Sequence, residues 1–172
     1  MENYRQLFSP ETELGRWLAT RNTMLRIGRN LFVHAGLSAR LLERDLEMDT
    51  LNARMSEGLY RTSKERREDP TLEFLYRSAG PVWYRGMVCT DEKYDPLTPE
   101  QTDALLRRYD ADRLLVGHTI FPDISTFHDG RVIAVNVQNE LNRRKNRGRA
   151  VLIEGSRISV VGNRGVKRVL EE

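Results

Sequence analysis

The chain has 172 residues, 39% of them hydrophobic and 31% charged, with a formal net charge of +3. That length and balance suit one domain with a core of its own, and exclude a disordered or fibrous chain. No run approaches the roughly 18 consecutive apolar residues of a membrane helix, and the single cysteine, Cys89, excludes an internal disulfide and a Cys-rich zinc site.

The opening MENYRQLFSPETELGRW lacks the basic-then-apolar order of an export signal. A lone cysteine fits a reducing, cytoplasmic setting without requiring it, and the compartment stays open. Within SPETELGRWLATRN, Ser9 is placed as N-cap and Pro10 at N1 of a helix whose apolar stripe is Leu14, Trp17 and Leu18. TMLRIG and NLFVHAG then read as two short strands joined at GRN. Residues 37–77 are charged and punctuated by Leu41, Leu42, Leu46 and Leu51, which predicts two or more helices with a mobile link at SKERREDPT. SAGPVWYRGM breaks the helical pattern, because Gly80 and Pro81 disallow helix.

LTPEQTDALLRRYD carries strong start signals: Thr98 as N-cap, Pro99 at N1 and Gln101 at N3. RLLVGHT reads as a buried strand. ISTFHDGRVIAVNV is a hairpin turning at Asp129-Gly130, and RAVLIEGSRISVVG is a second hairpin. The order of elements implies an α/β or mixed α+β fold, a mixed sheet layered with helices. From Arg143 to Glu172 there are nine Lys/Arg against three Asp/Glu, a net of +6. The basic run NRRKNRGR, with Arg143, Arg144 and Arg147, is read as solvated surface in preference to a nucleic-acid contact.

Three stretches carry chemistry. LFVHAG and LLVGHT each end an apolar strand on a histidine beside a small residue, which places His34 and His118 where α/β sheets collect ligands. Two imidazoles at neighbouring strand ends make a natural pair of ligands for a transition metal. Taken singly, each is as well explained as a packed histidine, so metal ligand, general base and core side chain all stay open for His34. His128, beside Asp129-Gly130, reads as an exposed turn residue. Arg85 in GPVWYRGM offers a planar fork for a phosphate or carboxylate, or else stacks on Trp83. There is no Gly-rich phosphate loop, no Gly-x-Ser-x-Gly and no aromatic-basic pattern of an RNA-binding sheet. Cys89 is treated as structural.

The set LFVHAGLS, GPVWYRGM, LLVGHT and HDGRVIAVNV, in that order, resembles the C-terminal half of a calcineurin-like metallophosphoesterase, and more narrowly the Shewanella-like branch of the phosphoprotein phosphatases. The resemblance runs from about Ser9 to Val161. It implies one partial domain over 1–172, half of an α/β/β/α sandwich with a helical insertion at about 37–77. It further implies a metal-dependent phosphoester hydrolase of the protein serine/threonine phosphatase type, with His34 and His118 as metal ligands and Arg85 binding substrate phosphate. The cofactor implied is a dinuclear divalent centre of Mn, Fe, Zn or Ni. The substrate implied is a phosphoprotein or small phosphomonoester, with no membrane partner and with self-association through an exposed sheet as a further expectation. Ala35 departs from the glycine usual in the family and is expected to crowd a backbone of positive φ. The family's Asp-x-His, Gly-Asp-x-x-Asp-Arg-Gly and Gly-Asn-His-Glu stretches do not occur. On this resemblance the chain is expected to be a weakly active or inactive fragment, or else a degenerate domain that binds a partner without catalysis.

Overall fold

Alternation along three short strands sets the layers of the molecule. The computed structural model describes residues 6–171. A five-stranded sheet is built from β1 (Met24–Ile27), β2 (Asn30–Val33), β3 (Arg113–Val116), β4 (Ser125–Phe127) and β5 (Val132–Ala134), in the order β1-β2-β3-β5-β4. The central pairs β2–β3 and β3–β5 are parallel, and the outer pairs β1–β2 and β4–β5 are antiparallel. Successive side chains on a strand point to opposite faces. Leu31, Val33, Leu114, Val116, Val132 and Ala134 therefore join the helical core, while Leu115, Ile133 and the partly buried Phe32 face the other way. There they meet Ile158 and Val160 of a second sheet, β6 (Arg149–Glu154), β7 (Arg157–Gly162) and β8 (Lys167–Glu171), which is antiparallel throughout. Burial on both faces explains why RLLV and VIA read as unbroken apolar runs. The result is a mixed α/β architecture with a mixed sheet between helices and a second sheet.

The helical layer consists of α1 (Glu13–Ala19), α2 (Arg40–Arg44), α3 (Met48–Gly58), α4 (Ser63–Arg67), α5 (Pro70–Tyr76) and α6 (Pro99–Arg108). A further helix, α7 (Asn139–Arg144), lies between β5 and β6. Helix α6 begins as its sequence predicts: the Thr98 side chain accepts from Gln101 N, the Gln101 side chain reaches back, and Pro99 opens the first turn. Helix α1 departs from expectation. Its N-cap is Thr12, whose Oγ accepts from Gly15 N, and not Ser9. Ser9 lies in the preceding turn, so close to Gly15 that a Cβ there would stand 1.8 Å from Ser9 O. Trp17 is consequently 52% exposed instead of completing an apolar stripe.

Three further readings are revised. The segment expected to be a mobile link holds α4, closed by a full capping box between Thr62 and Glu65. The basic run is revised only in part: Arg143 and Arg144 at the end of α7 are exposed as expected, while Arg147 turns inward to donate to Asn142 Oδ1 at 3.2 and 3.1 Å. His128 is partly buried at its hairpin tip, its ring nitrogens 3.3 Å from Thr102 Oγ1 and 3.1 Å from Met87 O.

Edge strand β1 is held by a side chain. Buried Asn52 of α3 accepts from Thr23 N and Met24 N at 2.9 Å each and donates to Met24 O at 2.8 Å. One carboxamide thus satisfies backbone groups that an edge strand would otherwise leave open. Replacing Asn52 by Ala strands these buried groups and is expected to cost about 2–3 kcal/mol. A lowered urea midpoint at unchanged m-value checks this, whereas a shift below about 0.5 kcal/mol would show that water replaces the carboxamide.

Candidate active site

Parallel pairing of β2 with β3 puts Val33 opposite Val116, so the residues after each strand emerge together at the carboxyl edge of the sheet. His34 follows β2 directly, and His118 follows β3 after Gly117. Gly117 N donates to His34 O at 2.8 Å, and a Cβ on Gly117 would approach that oxygen to 3.2 Å. The chain then turns through His118 at φ 60°, a left-handed conformation that few non-glycine residues adopt. The turn swings the imidazole back over the strand end. His34 Nε2 and His118 Nδ1 lie 3.2 Å apart, with ring centroids 5.0 Å apart and planes at 62°.

Arg85 arrives from the loop between α5 and α6. That loop is sewn to the segment after His34: Ala35 N and Gly36 N both donate to Pro81 O, Ser38 Oγ donates to Ala79 O, and Leu37 N to Met87 Sδ. Two glycines permit the approach. A Cβ on Gly36 would press on Tyr84 O at 3.1 Å, and one on Gly86 would lie 2.2 Å from the Tyr84 hydroxyl. That hydroxyl donates to Asp95 O at 2.6 Å, and its burial, with Asp95 nearby, holds the phenol well above its ordinary pKa. With the loop pinned, Arg85 Nη1 donates to Thr119 Oγ1 at 3.2 Å, one residue beyond His118. Trp83 packs edge-on against His118, centroids 5.4 Å apart at 89°. Among the described residues Arg85 makes no cation–π contact with Trp83; the ring it faces, at 6.0 Å, is Tyr94.

All three residues singled out in the sequence are brought together here. His34 is exposed, while Arg85 and His118 are partly buried. Burial lowers the pKa of His118, and the nearby Arg85 and His34 lower it further. His118 Nε2 is buried without a hydrogen-bond partner among the described residues. Trp83 was named in the sequence only as a stacking partner for Arg85, and Thr119 and Tyr94 were not picked out. Of these two, Thr119 carried a signal, as the last residue of the Gly-His-Thr stretch. Ala35 does not take the positive φ expected of it; the left-handed residue of the site is His118. Cys89 packs partly buried against the helical core.

The expected divalent-metal cofactor is corrected by this geometry. Among the described residues no group of three or more His, Cys, Asp or Glu is placed to hold a metal ion. His34 and His118 form an isolated pair, their nearest nitrogens set against each other, short of the three or four protein ligands a resident ion takes. A dinuclear centre of Mn, Fe, Zn or Ni does not fit these residues.

No protein-family model matches the chain, and no curated protein does either. Solved structures do match. A cold-active protein tyrosine phosphatase superposes with a TM-score of 0.87 at 29% identity, over 98% of this chain and 48% of that one. The cold-active protein-tyrosine phosphatase of a psychrophilic Shewanella species gives 0.86 at 28% identity over the same shares. A point mutant of a cold-active protein tyrosine phosphatase gives the same values. The chain spans about half the length of the solved structures it matches. The expected assignment to the calcineurin-like metallophosphoesterases is thereby corrected to a likeness to protein tyrosine phosphatases. The expected metal-dependent, serine/threonine-type activity falls with that assignment. The likeness supports the broader terms hydrolase and phosphatase.

The lowered pKa of His118 sets a pH dependence whose sign follows directly. The folded chain holds the proton less tightly than the unfolded chain, so this contribution to stability is complete above the ordinary histidine value of about 6.5 and is lost as pH falls below it. An NMR titration of His118 is expected to give a midpoint below 6.5, and Arg85→Met is expected to move it upward by removing one of the three causes. A midpoint at or above the ordinary value, or one indifferent to Arg85→Met, would contradict this account of the site.

Proposed function

We propose that this chain carries the phosphate-binding site of a phosphatase acting on phosphoproteins, with phosphotyrosine side chains as the substrate class and Arg85 as the phosphate clamp. The observation that carries the reading is the convergence of Arg85 with two histidines at the carboxyl edge of the sheet, in a chain superposable on protein tyrosine phosphatases. A guanidinium suits this task because its planar fork matches two phosphate oxygens at once. Only Nη1 of Arg85 is engaged among the described residues, by the neutral Thr119 hydroxyl, so the fork keeps donors for an anion and no carboxylate competes for it.

The imidazoles supply proton traffic. In hydrolysis a water attacks phosphorus, the bond from phosphorus to the phenol oxygen breaks, and the proton shed by water returns to the leaving oxygen. The 3.2 Å contact between His34 and His118 lets one ring donate to the other, so the pair can take up that proton and return it. His118, with its lowered pKa, is held in the neutral form that accepts a proton near pH 7. Trp83 packs at right angles against His118, one of the contacts that leave that ring partly buried while His34 stays exposed.

Two measurements test the reading: calorimetric titration with inorganic phosphate or vanadate, and phosphate release from a phosphotyrosine peptide. Arg85→Ala is expected to weaken oxyanion binding by about tenfold to hundredfold, the worth of about 1.5–3 kcal/mol for a hydrogen bond to a charged group. Turnover should fall with it. Arg85→Lys should recover only part of the affinity, because an ammonium is a point charge without the fork. Oxyanion binding equal in the wild-type chain and Arg85→Ala would remove Arg85 from the role and the proposal with it.

A further inference from the structure

Beside the histidine pair lies a cleft of about 840 Å³ that the phosphate site does not account for. Trp83 and Arg85 belong to both: they line the cleft and also contact His118 and Thr119 respectively. The remaining walls come from the start of α2, the end of α5 and the short helical turn Glu92–Tyr94. Four cations line it, Arg40, Arg77, Arg85 and Lys93, against one carboxylate, Asp95.

The use made of these cations separates them from ordinary surface charge. Two neighbouring arginines are committed to packing, with Arg44 over the Phe74 ring at 4.0 Å and Arg66 over the Tyr76 ring at 3.8 Å. Lys93 is paired with Asp91 at 2.8 Å. Arg40 makes neither an ion pair nor a ring contact with its side chain among the described residues. Arg77 reaches only Glu73, at 3.5 Å, with both side chains well exposed. Arg40 of α2 and Arg77, the residue after α5, thus stand on one concave wall, the first without an ion pair among the described residues and the second with one long, exposed pair. The opposite requirement is met by Trp83, which is 55% exposed and offers an aromatic face next to Arg85.

We infer that the cleft is a subsite for acidic residues flanking the phosphorylated side chain, so that the preferred substrate is an acidic phosphotyrosine peptide. The phosphate sits on Arg85, the phenyl ring lies against Trp83 and Tyr94, and Glu or Asp neighbours in the peptide meet Arg40 and Arg77. The inference rests on the phosphate-binding reading of Arg85 and adds the recognition of what lies beside the phosphate. Aromatic walls gain from the ring's area as well as from its geometry, while exposed charge pairs add selectivity that salt screens.

The test compares two fluorescein-labelled phosphotyrosine peptides by anisotropy on the whole chain at low ionic strength. One is flanked by Glu and the other by Ser and Gly. The Glu-flanked peptide is expected to bind about tenfold tighter, the combined worth of two exposed ion pairs. In the double variant Arg40→Ser, Arg77→Ser that ratio should fall to about one, with each single variant between, and an unchanged melting midpoint would show that the fold is kept. Equal affinities in the wild-type chain, or a ratio that survives the double variant, overturns the inference while leaving Arg85 in place. Binding of neither phosphopeptide overturns the phosphate-binding reading and the inference together.

Discussion

The site depends on the parallel register between β2 and β3. That register is fastened at both ends by backbone hydrogen bonds lying outside the strands. At the entry end Asp112 N donates to Arg29 O at 2.8 Å, and at the exit end Gly117 N donates to His34 O at 2.8 Å. Between them Asn30 to Val33 run opposite Arg113 to Val116. A slip of one residue would send Leu31 and Leu114 to the wrong layer and part the two imidazoles. The cost of such a slip is spread over the whole core, whereas the surface ion pairs of Arg26 and Arg29 with Asp110 and Asp112 add little. The histidine pair is therefore positioned by the burial of aliphatic side chains several residues away.

Arg85 is placed by a different means. Its loop is folded by backbone turns of its own, among them Tyr84 N to Gly80 O and Cys89 N to Arg85 O at 3.0 Å each, and is docked on the segment after His34. Pro81 O accepts from two consecutive amides, Ser38 Oγ reaches Ala79 O, and Gly36 lets the two backbones close together. The same residues that carry His34 out of the strand thus carry the loop that presents Arg85. Tyr84 adds a second fastening through Asp95, beneath the glycine next to Arg85. Preorganisation of this kind keeps a long, flexible side chain near one geometry before any anion arrives.

Much of this was legible where the chain reports its own local chemistry. The Thr98-Pro99-Gln101 start of α6, the GRN hairpin and the apolar runs of β3 and β5 are local signals that tertiary packing respects. That His34, His118 and Arg85 come close together was legible in part, because two parallel strands each ending on a histidine bring those ends side by side. What was not legible depends on distance. Thr12 displaces Ser9 as the cap because Gly15 packs on the Ser9 carbonyl, a contact no capping pattern encodes. His128 looked like an exposed tip, yet its partners Thr102 and Met87 are 26 and 41 residues away. The charged wall of the cleft was hidden for the same reason, since Arg40 lies in α2 and Arg77 just past the end of α5, far apart in sequence. The metal reading failed because two strand-end histidines are compatible with several chemistries, and only the absence of a third nearby ligand among the described residues decides between them.

The charges at the site also couple its parts. His118 loses basicity through burial and through the guanidinium of Arg85, so an empty site favours a neutral imidazole. An anion seated on Arg85 offsets the positive charge that His118 feels and places negative charge nearby. Both changes favour protonation of the ring. By linkage, a site that gains a proton when it binds an anion also binds that anion more tightly as pH falls through the His118 range. Arg85 is then more than a clamp. On the proposed reading it also acts, after burial, to lower the basicity of His118 in the empty site, and a bound phosphate offsets that effect.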